Sequence, residues 1–308
     1  MRRIALLVVL AGLVVAPAAA ADTGLEQLLE EASDAEFHGD GIVLCTWGPD
    51  SAAATYDITR SDGMSMVHAP DGALMSAGGL MATGDGSAWY GLEVGEWSEW
   101  ALHDRYTVSE PMATERLGRP AASVTVFEEG RPRALIVLDA ESAVPLLTEI
   151  YGSDGTLFRI AALLDFEPGP SDMSDAPHEF DDMEHMDPAR DTGALPVEAS
   201  GYRRADAYDA PGGVQGFYTD GLFSFSVFES KRGSTPEVFR DATAFQVGGE
   251  TYRRIITPSH VWVQWHSPDR TYVLVGDLPP DHVAAVLPAF PEPGNRAFFV
   301  RMWRRLFG

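Results

Sequence analysis

The chain has 308 residues, 45% of them hydrophobic, and sets 46 acidic side chains against 22 basic ones for a net charge of −24. That length admits two domains of ordinary size with their own cores, and so acidic a surface argues against nucleic acid as a partner. One cysteine, Cys45, excludes an internal disulfide, so the fold must rest on its core.

Residues 1–21 read as a secretory signal peptide: Arg2 and Arg3, an uncharged run from Ile4 to Val15, then Pro17 and the small residues Ala18 to Ala21. The apolar run is shorter than the roughly 20 residues a membrane helix needs, and its small-residue end offers an A-x-A type cleavage site. Cutting after Ala21 removes two arginines and no acid, which takes the charge from −24 to −26. The expected location is the periplasm or the extracytoplasmic face of the cell envelope. A lipid-anchored form would need a cysteine at the cut, and Cys45 lies well inside the mature chain. In the run Gly41 to Trp47, Cys45 either pairs with another chain or serves as a small buried hydrophobe on a strand, and the strand context favours the second.

Gly24 to Ala35 places Leu25, Leu28, Leu29 and Ala32 at spacings of three and four, the pattern of a short amphipathic helix. From Phe37 the texture turns to short β-rich runs: Gly41 to Trp47, Thr55 to Arg60, Met64 to His68, Ser87 to Leu92, Ala122 to Glu128, Arg133 to Asp139, Leu146 to Tyr151 and Thr156 to Phe166. Turn residues at 61–63, 70–72, 129–130 and 153–155 separate them, which predicts an antiparallel meander curved into a sheet or open barrel. Between Asp172 and Asp191, eight acids face the single basic Arg190, so 169–194 reads as an acidic linker. A second strand-rich piece follows over 195–294, with Phe223, Phe225 and Val227 alternating with Ser224 and Ser226 as in a sheet with one buried face. Its strands are predicted at 202–208, 216–218, 222–229, 243–247, 251–257, 261–265 and 271–276, and a helix at 280–287.

The last segment, 295–308, holds Arg296, Arg301, Arg304 and Arg305 and no acid. In a helix, Phe298, Phe299, Met302, Trp303, Leu306 and Phe307 would share one face, with Arg301, Arg304 and Arg305 largely off it. Such a tail either lies in the headgroup region of an anionic membrane, with Arg301, Trp303, Arg304 and Arg305 as contacts, or packs on the second piece's own sheet.

The chain lacks the local signatures of common chemistries: no G-x-S-x-G elbow, Walker loop, H-E-x-x-H or C-x-x-C occurs. His178 and His185 sit among carboxylates without a tight ligand spacing, so no metal and no cofactor is expected. The sequence reads as a binding protein and not as an enzyme. Trp47, Trp89, Trp97 and Trp100, with Met64, Met66, Met75 and Met81, cluster in the first piece. Soft thioethers and broad aromatic faces suit a cavity for acyl chains, and equally an ordinary core.

Several runs resemble the MucB/RseB family of exported sigma-factor regulators. Tyr218-Thr-Asp-Gly-Leu-Phe-Ser-Phe-Ser-Val-Phe-Glu229 is similar to that family's "SDGL…SVF" strand pair. Phe37-His-Gly39, Leu117-Gly118-Arg119-Pro-Ala121, Leu138-Asp139 before Pro145-Leu146, and Asp154-Gly155 before Phe166 follow in its order. The resemblance implies an α+β protein: a half-open antiparallel barrel with helices, similar to LolA and LolB, over 22–168, then a smaller antiparallel-sheet domain over 195–294. It implies the extracytoplasmic part of an anti-sigma factor as partner, with Arg119, Tyr218, Asp220 and Phe228 as candidate contacts, and lipid as a possible signal. The alternative is a lipid or lipoprotein carrier of the envelope. Physically, Asp220-Gly221 reads as a hairpin-type turn, and Arg119 fits a structural ion pair better than a partner contact.

Overall fold

The computed structural model describes residues 35–61, 64–68, 87–90, 105–170, 189, 192–210, 212–232 and 237–294. The expected leader, the helix at 24–35 up to its last residue, the body of the acidic linker with His178 and His185, and the basic tail lie outside them, as do Met75, Met81, Trp97 and Trp100.

Among the described residues two antiparallel sheets form. The first joins eleven strands: β1 (Phe37–Trp47), β2 (Asp50–Ser61), β3 (Met64–His68), β4 (Ser87–Tyr90), β5 (Tyr106–Val108), β6 (Met112–Arg116), β7 (Arg119–Glu128), β8 (Arg131–Asp139), β9 (Pro145–Tyr151), β10 (Leu157–Leu163) and β11 (Glu167–Pro168). Its path runs from β4 through β3, β2, β1, β10, β9, β8 and β7 to β5, with β11 on β1 and β6 on β7, and its two ends are not paired with each other. The second joins eight strands: β12 (Glu198–Ala199), β13 (Tyr202–Ala210), β14 (Gly213–Thr219), β15 (Ser224–Lys231), β16 (Thr243–Val247), β17 (Glu250–Ile256), β18 (Val261–His266) and β19 (Arg270–Gly276), in the order β12-β13-β14-β15-β19-β18-β17-β16. The described helical part is small: α1 (Pro280–Val286) and one-turn 3-10 helices at Glu237–Asp241 and Leu287–Ala289. The described architecture is therefore mostly β.

The alternation that marks these strands in the sequence is the alternation of burial. Along β1, Phe37, Gly39, Gly41, Val43 and Cys45 face inward while their neighbours are more exposed. Cys45 is buried, and burial pushes its thiol up to about 11, so it behaves as a small hydrophobe. Register is set by tight hairpins. Glu129 and Gly130, at φ 50° and 75°, join β7 to β8, and Gly248 and Gly249, at 60° and 90°, join β16 to β17. Two successive positive φ values match a type I′ turn, whose twist suits the flanking strands. Strands β5 and β6 have no counterpart among the sequence-predicted elements. Met112–Arg116 sits at the margin of the first sheet with no buried residue, so no apolar alternation marks it.

Both sheets feed one hydrophobic core. Tyr106, Val126, Ile136, Leu138, Ile150 and Phe158 from the first meet Tyr202, Tyr218, Phe223, Phe225, Trp265 and Leu274 from the second, together with Val283 and Val286 of α1. Tyr218 stacks on Phe225 at 4.9 Å between centroids, and Trp265 stacks on Tyr272 at 5.2 Å. Each such ring removed from water contributes on the order of 1.5–3 kcal/mol. A smaller cluster around Phe37, Ile58, Leu146 and Phe166 fills the far part of the first sheet.

Candidate functional site

Where the two sheets meet, the apolar core is rimmed by a buried network of charges. Glu128 ends β7, and its carboxylate takes Arg105 Nε at 2.6 Å, Arg133 Nη2 at 2.5 Å and His282 Nε2 at 2.9 Å. Arg133 also grips Asp281 with both terminal nitrogens, at 3.2 and 2.9 Å. Arg105 reaches Asp220 at 3.1 Å and the Ser200 carbonyl at 3.2 Å. Three side chains, from beside β5, from β8 and from α1, thus converge on one carboxylate.

Local structure places each participant. Pro280 opens α1, and the helix turns His282 inward to be 3% exposed, with its Nδ1 2.6 Å from the Tyr202 hydroxyl. Because an ionised carboxylate only accepts, Glu128 fixes a proton on Nε2, and the Tyr202 hydroxyl donates to Nδ1 whenever the ring is neutral. Asp220 folds back over its own turn: Oδ1 accepts the Leu222 and Phe223 amides, while Oδ2 accepts the Tyr106 hydroxyl at 2.7 Å. Gly221 supplies the positive φ of 90° that this turn requires.

The electrostatics follow from that packing. Burial alone would raise the Glu128 carboxyl, but the hydrogen bond and charge of His282 and those of Arg105 outweigh it and hold the group well below the usual carboxylate range. Burial, reinforced by the Asp220 charge, pushes the Tyr106 hydroxyl far upward, so it stays a neutral donor. Asp277 is raised by burial against the pull of Arg159, whose Nη1 donates across the seam to the Ser259 carbonyl at 2.9 Å. These groups are occupied with one another, which is the arrangement of a joint that sets the relative position of two sheets.

The residues singled out in the sequence fall in different places. Tyr218 is fully buried, its hydroxyl donating to the Pro196 carbonyl at 2.8 Å, and Asp220 is 3% exposed within the seam. Asp220 serves the joint itself, through Tyr106 and Arg105, whereas Tyr218 packs within the second sheet on Phe225 and Phe290. Arg119 forms a two-pronged pair with buried Asp139, at 2.7 and 3.2 Å, and reaches Glu141 at 3.1 Å, the structural ion pair expected of it. Phe228 is half-buried on the opposite face of the second sheet. Trp47 packs edge-on to Phe245 at 5.3 Å with the Arg254 guanidinium 4.2 Å above its ring, so it joins the seam at the far end of β1. Met66 and Trp89 occupy directly opposed positions on β3 and β4, and Met64 pairs with Ser61. A shallow pocket of about 210 Å³ lies on the first sheet, lined by Asp40, Gly41, Thr55, Tyr56, Asp57 and Leu164. It is smaller than the roughly 300 Å³ at which ligand pockets usually begin. Among the described residues, no helix is long and apolar enough to cross a membrane.

No family model and no curated protein matches the sequence. Among solved structures, the MucB of a Pseudomonas aeruginosa MucA/MucB complex matches over 88% of this chain and 97% of its own, at 19% identity and a TM-score of 0.50. The chain has the MucB fold. A second MucB, in complex with MucA(peri), matches over the same shares at 19% identity and a TM-score of 0.49, and MucB alone over 87% and 96% at 0.48. At 88% of the chain, the MucB likeness takes in residues of both sheets.

Sequence reasoning missed the seam. Arg105, Arg133 and His282 carry no motif, and the only local trace is a polar Asp281-His282 pair on an otherwise apolar helix start.

Proposed function

We propose that this protein is an exported regulator of the MucB/RseB kind that binds the extracytoplasmic part of a membrane-bound anti-sigma factor. The observation that carries this reading is the whole-length likeness to a MucB that forms a complex with MucA, spanning both sheets at once. The run Tyr218 to Glu229 supports it independently of the fold. In this reading residues 1–21 are a leader, 22–168 form a half-open barrel of the LolA type and 195–294 a smaller α+β domain. The anti-sigma segment engages both. Asp220 then acts as a positioning residue through the seam and Tyr218 as one within the second sheet, while Arg119 and Phe228 lie nearer the surface. The absence of local catalytic signatures accords with a binding role.

Immobilised mature protein, mixed with the extracytoplasmic segments of the single-span anti-sigma factors of the same genome, is expected to retain one of them as a stable complex. Retention of none would remove the reading.

The second reading is a lipid or lipoprotein carrier, and lipid also fits the first as a release signal. What favours it is the register that sets Met66 opposite Trp89 on β3 and β4. Protein purified gently from its native envelope is expected to yield acylated molecules by mass spectrometry. A preparation free of them, with full anti-sigma binding, would leave those side chains as core.

A further inference from the structure

The first sheet spends its cations on the inside. Over residues 35–61 and 105–170 it carries seven arginines and no lysine, and of these only Arg131 is exposed. Arg105 and Arg133 meet at Glu128, Arg159 crosses the seam to the Ser259 carbonyl, and Arg119 is held by the buried Asp139. Arg116 donates to the Leu146 and Leu163 carbonyls at 3.0 and 3.3 Å, and Arg60 is 4% exposed. The whole chain has one lysine among its 22 basic residues, the other 21 being arginine. A weakly hydrated, forked guanidinium suits such enclosed pairs, whereas a strongly hydrated ammonium favours the surface.

The carboxylates are placed the other way. Within the same residues nine acidic side chains are exposed, among them Asp40, Asp57, Glu110, Glu115 and Asp165. The register sets Asp40 directly opposite Asp57 on neighbouring strands, and the Asp165 carboxylate accepts the Asp40 amide, so three acids share one corner. Like charges directly opposed across a strand pair destabilise a sheet. The hydrogen bond between Asp40 and Asp57 raises the Asp40 carboxyl above its ordinary value, which is the response of a carboxylate crowded by its like. Among the described residues no group of acids, histidines or cysteine is arranged to hold a metal ion, so this charge is spread over the sheet and not gathered at one ligand set.

Salt acts on the surface and on the seam in opposite senses, and the ranges of the two interactions decide which prevails. At 0.01 M ionic strength charges are felt over about 30 Å, which is about six strand spacings of about 4.8 Å, so each exposed carboxylate repels others across much of the sheet. At 1 M the range is about 3 Å, less than one spacing, and the repulsion is gone. The pairs around Glu128, at 2.5 to 2.9 Å and largely out of water, are screened much less. Added salt therefore removes the repulsion and leaves the seam in place.

We propose that the outer surface of the first sheet is a counterion surface: it needs monovalent cations, drawn diffusely to its carboxylates, to reach full stability, and the protein is built for a medium rich in salt. The arginines that would neutralise the surface in an ordinary protein are committed to the seam and the sheet interior, so the neutralising charge comes from solution.

The test follows thermal unfolding of the full chain in dilute buffer as sodium chloride is raised to about 1 M. Tm is expected to rise by on the order of 5–10 °C. Asp40→Asn combined with Asp57→Asn and Asp165→Asn should unfold at a higher temperature than the natural protein in low salt, and the two should converge at high salt. Glu110→Gln with Glu115→Gln leaves that corner intact and should show the same convergence on a smaller scale, which keeps the test decisive if the triple variant folds poorly. A Tm that stays level or falls as salt is added would overturn the proposal, because the seam pairs would then dominate the response. A gap between natural and variant proteins that is unchanged from low to high salt would overturn it as well, since salt would then act on all of them alike through exclusion from the surface.

Discussion

Replacing Glu128 with alanine is expected to destabilise the protein by about 3–5 kcal/mol, the usual cost of removing one partner from a buried ion pair. The carboxylate is the shared acceptor for Arg105, Arg133 and His282, all on or beside the boundary between the sheets. Arg133 keeps Asp281 and Arg105 keeps Asp220, but the Arg105 Nε proton and the Nε2 proton of the buried His282 lose their acceptor. Glu128→Gln keeps an acceptor oxygen and loses the charge, so its cost should be smaller. Thermal unfolding should show a fall in Tm on the order of 10 °C for alanine. A loss below about 1 kcal/mol would mean that the network contributes little and that the apolar core alone sets the joint.

The same residue predicts a pH dependence with a definite sign. Its carboxyl is depressed in the folded protein relative to the ordinary value of about 4.3. A depressed carboxylate lends stability that is fully present above that ordinary value and is lost as pH falls below it toward the folded value. The gap in Tm between the natural protein and Glu128→Gln should therefore be constant at neutral pH and shrink as pH drops below about 4. A gap that persists unchanged to pH 3 would show that the charge of Glu128 does not drive it.

Much of the fold was legible because its strands are short, alternating and punctuated by turn residues. Ser224 to Glu229 and Val261 to Trp265 announce a buried face by their period of two, and Glu129-Gly130 announces a hairpin by its glycine. What the sequence could not show is pairing between segments more than a hundred positions apart. Nothing near Glu128 points to His282, 154 residues later, and nothing near Trp47 points to Arg254. The run Tyr218 to Asp220 stood out as a motif for a physical reason now visible. Its turn must satisfy the Leu222 and Phe223 amides and also present a carboxylate to Tyr106 and Arg105. The polar residues of the site are thus chosen for geometry across the fold, whereas the apolar ones are chosen for local period.

Phe225→Ala is expected to cost about 3–5 kcal/mol and to weaken both sheets' hold on each other. The ring is 1% exposed, stacks at 4.9 Å on Tyr218, and meets Tyr202 and Phe290 edge-on at 5.2 and 6.3 Å. Alanine would open a cavity under three aromatic neighbours, and the lost contacts add to the lost transfer energy because so close-packed a site collapses only in part. Tyr202 also touches His282, so the disturbance reaches the Glu128 network and the two losses should be less than additive. Phe225→Leu keeps most of the volume and should cost well under half as much. Denaturant unfolding of the two single variants and of Phe225→Ala with Glu128→Ala together measures this coupling. Strict additivity would mean that the apolar core and the charged seam respond independently, and that the joint between the sheets is not one cooperative unit.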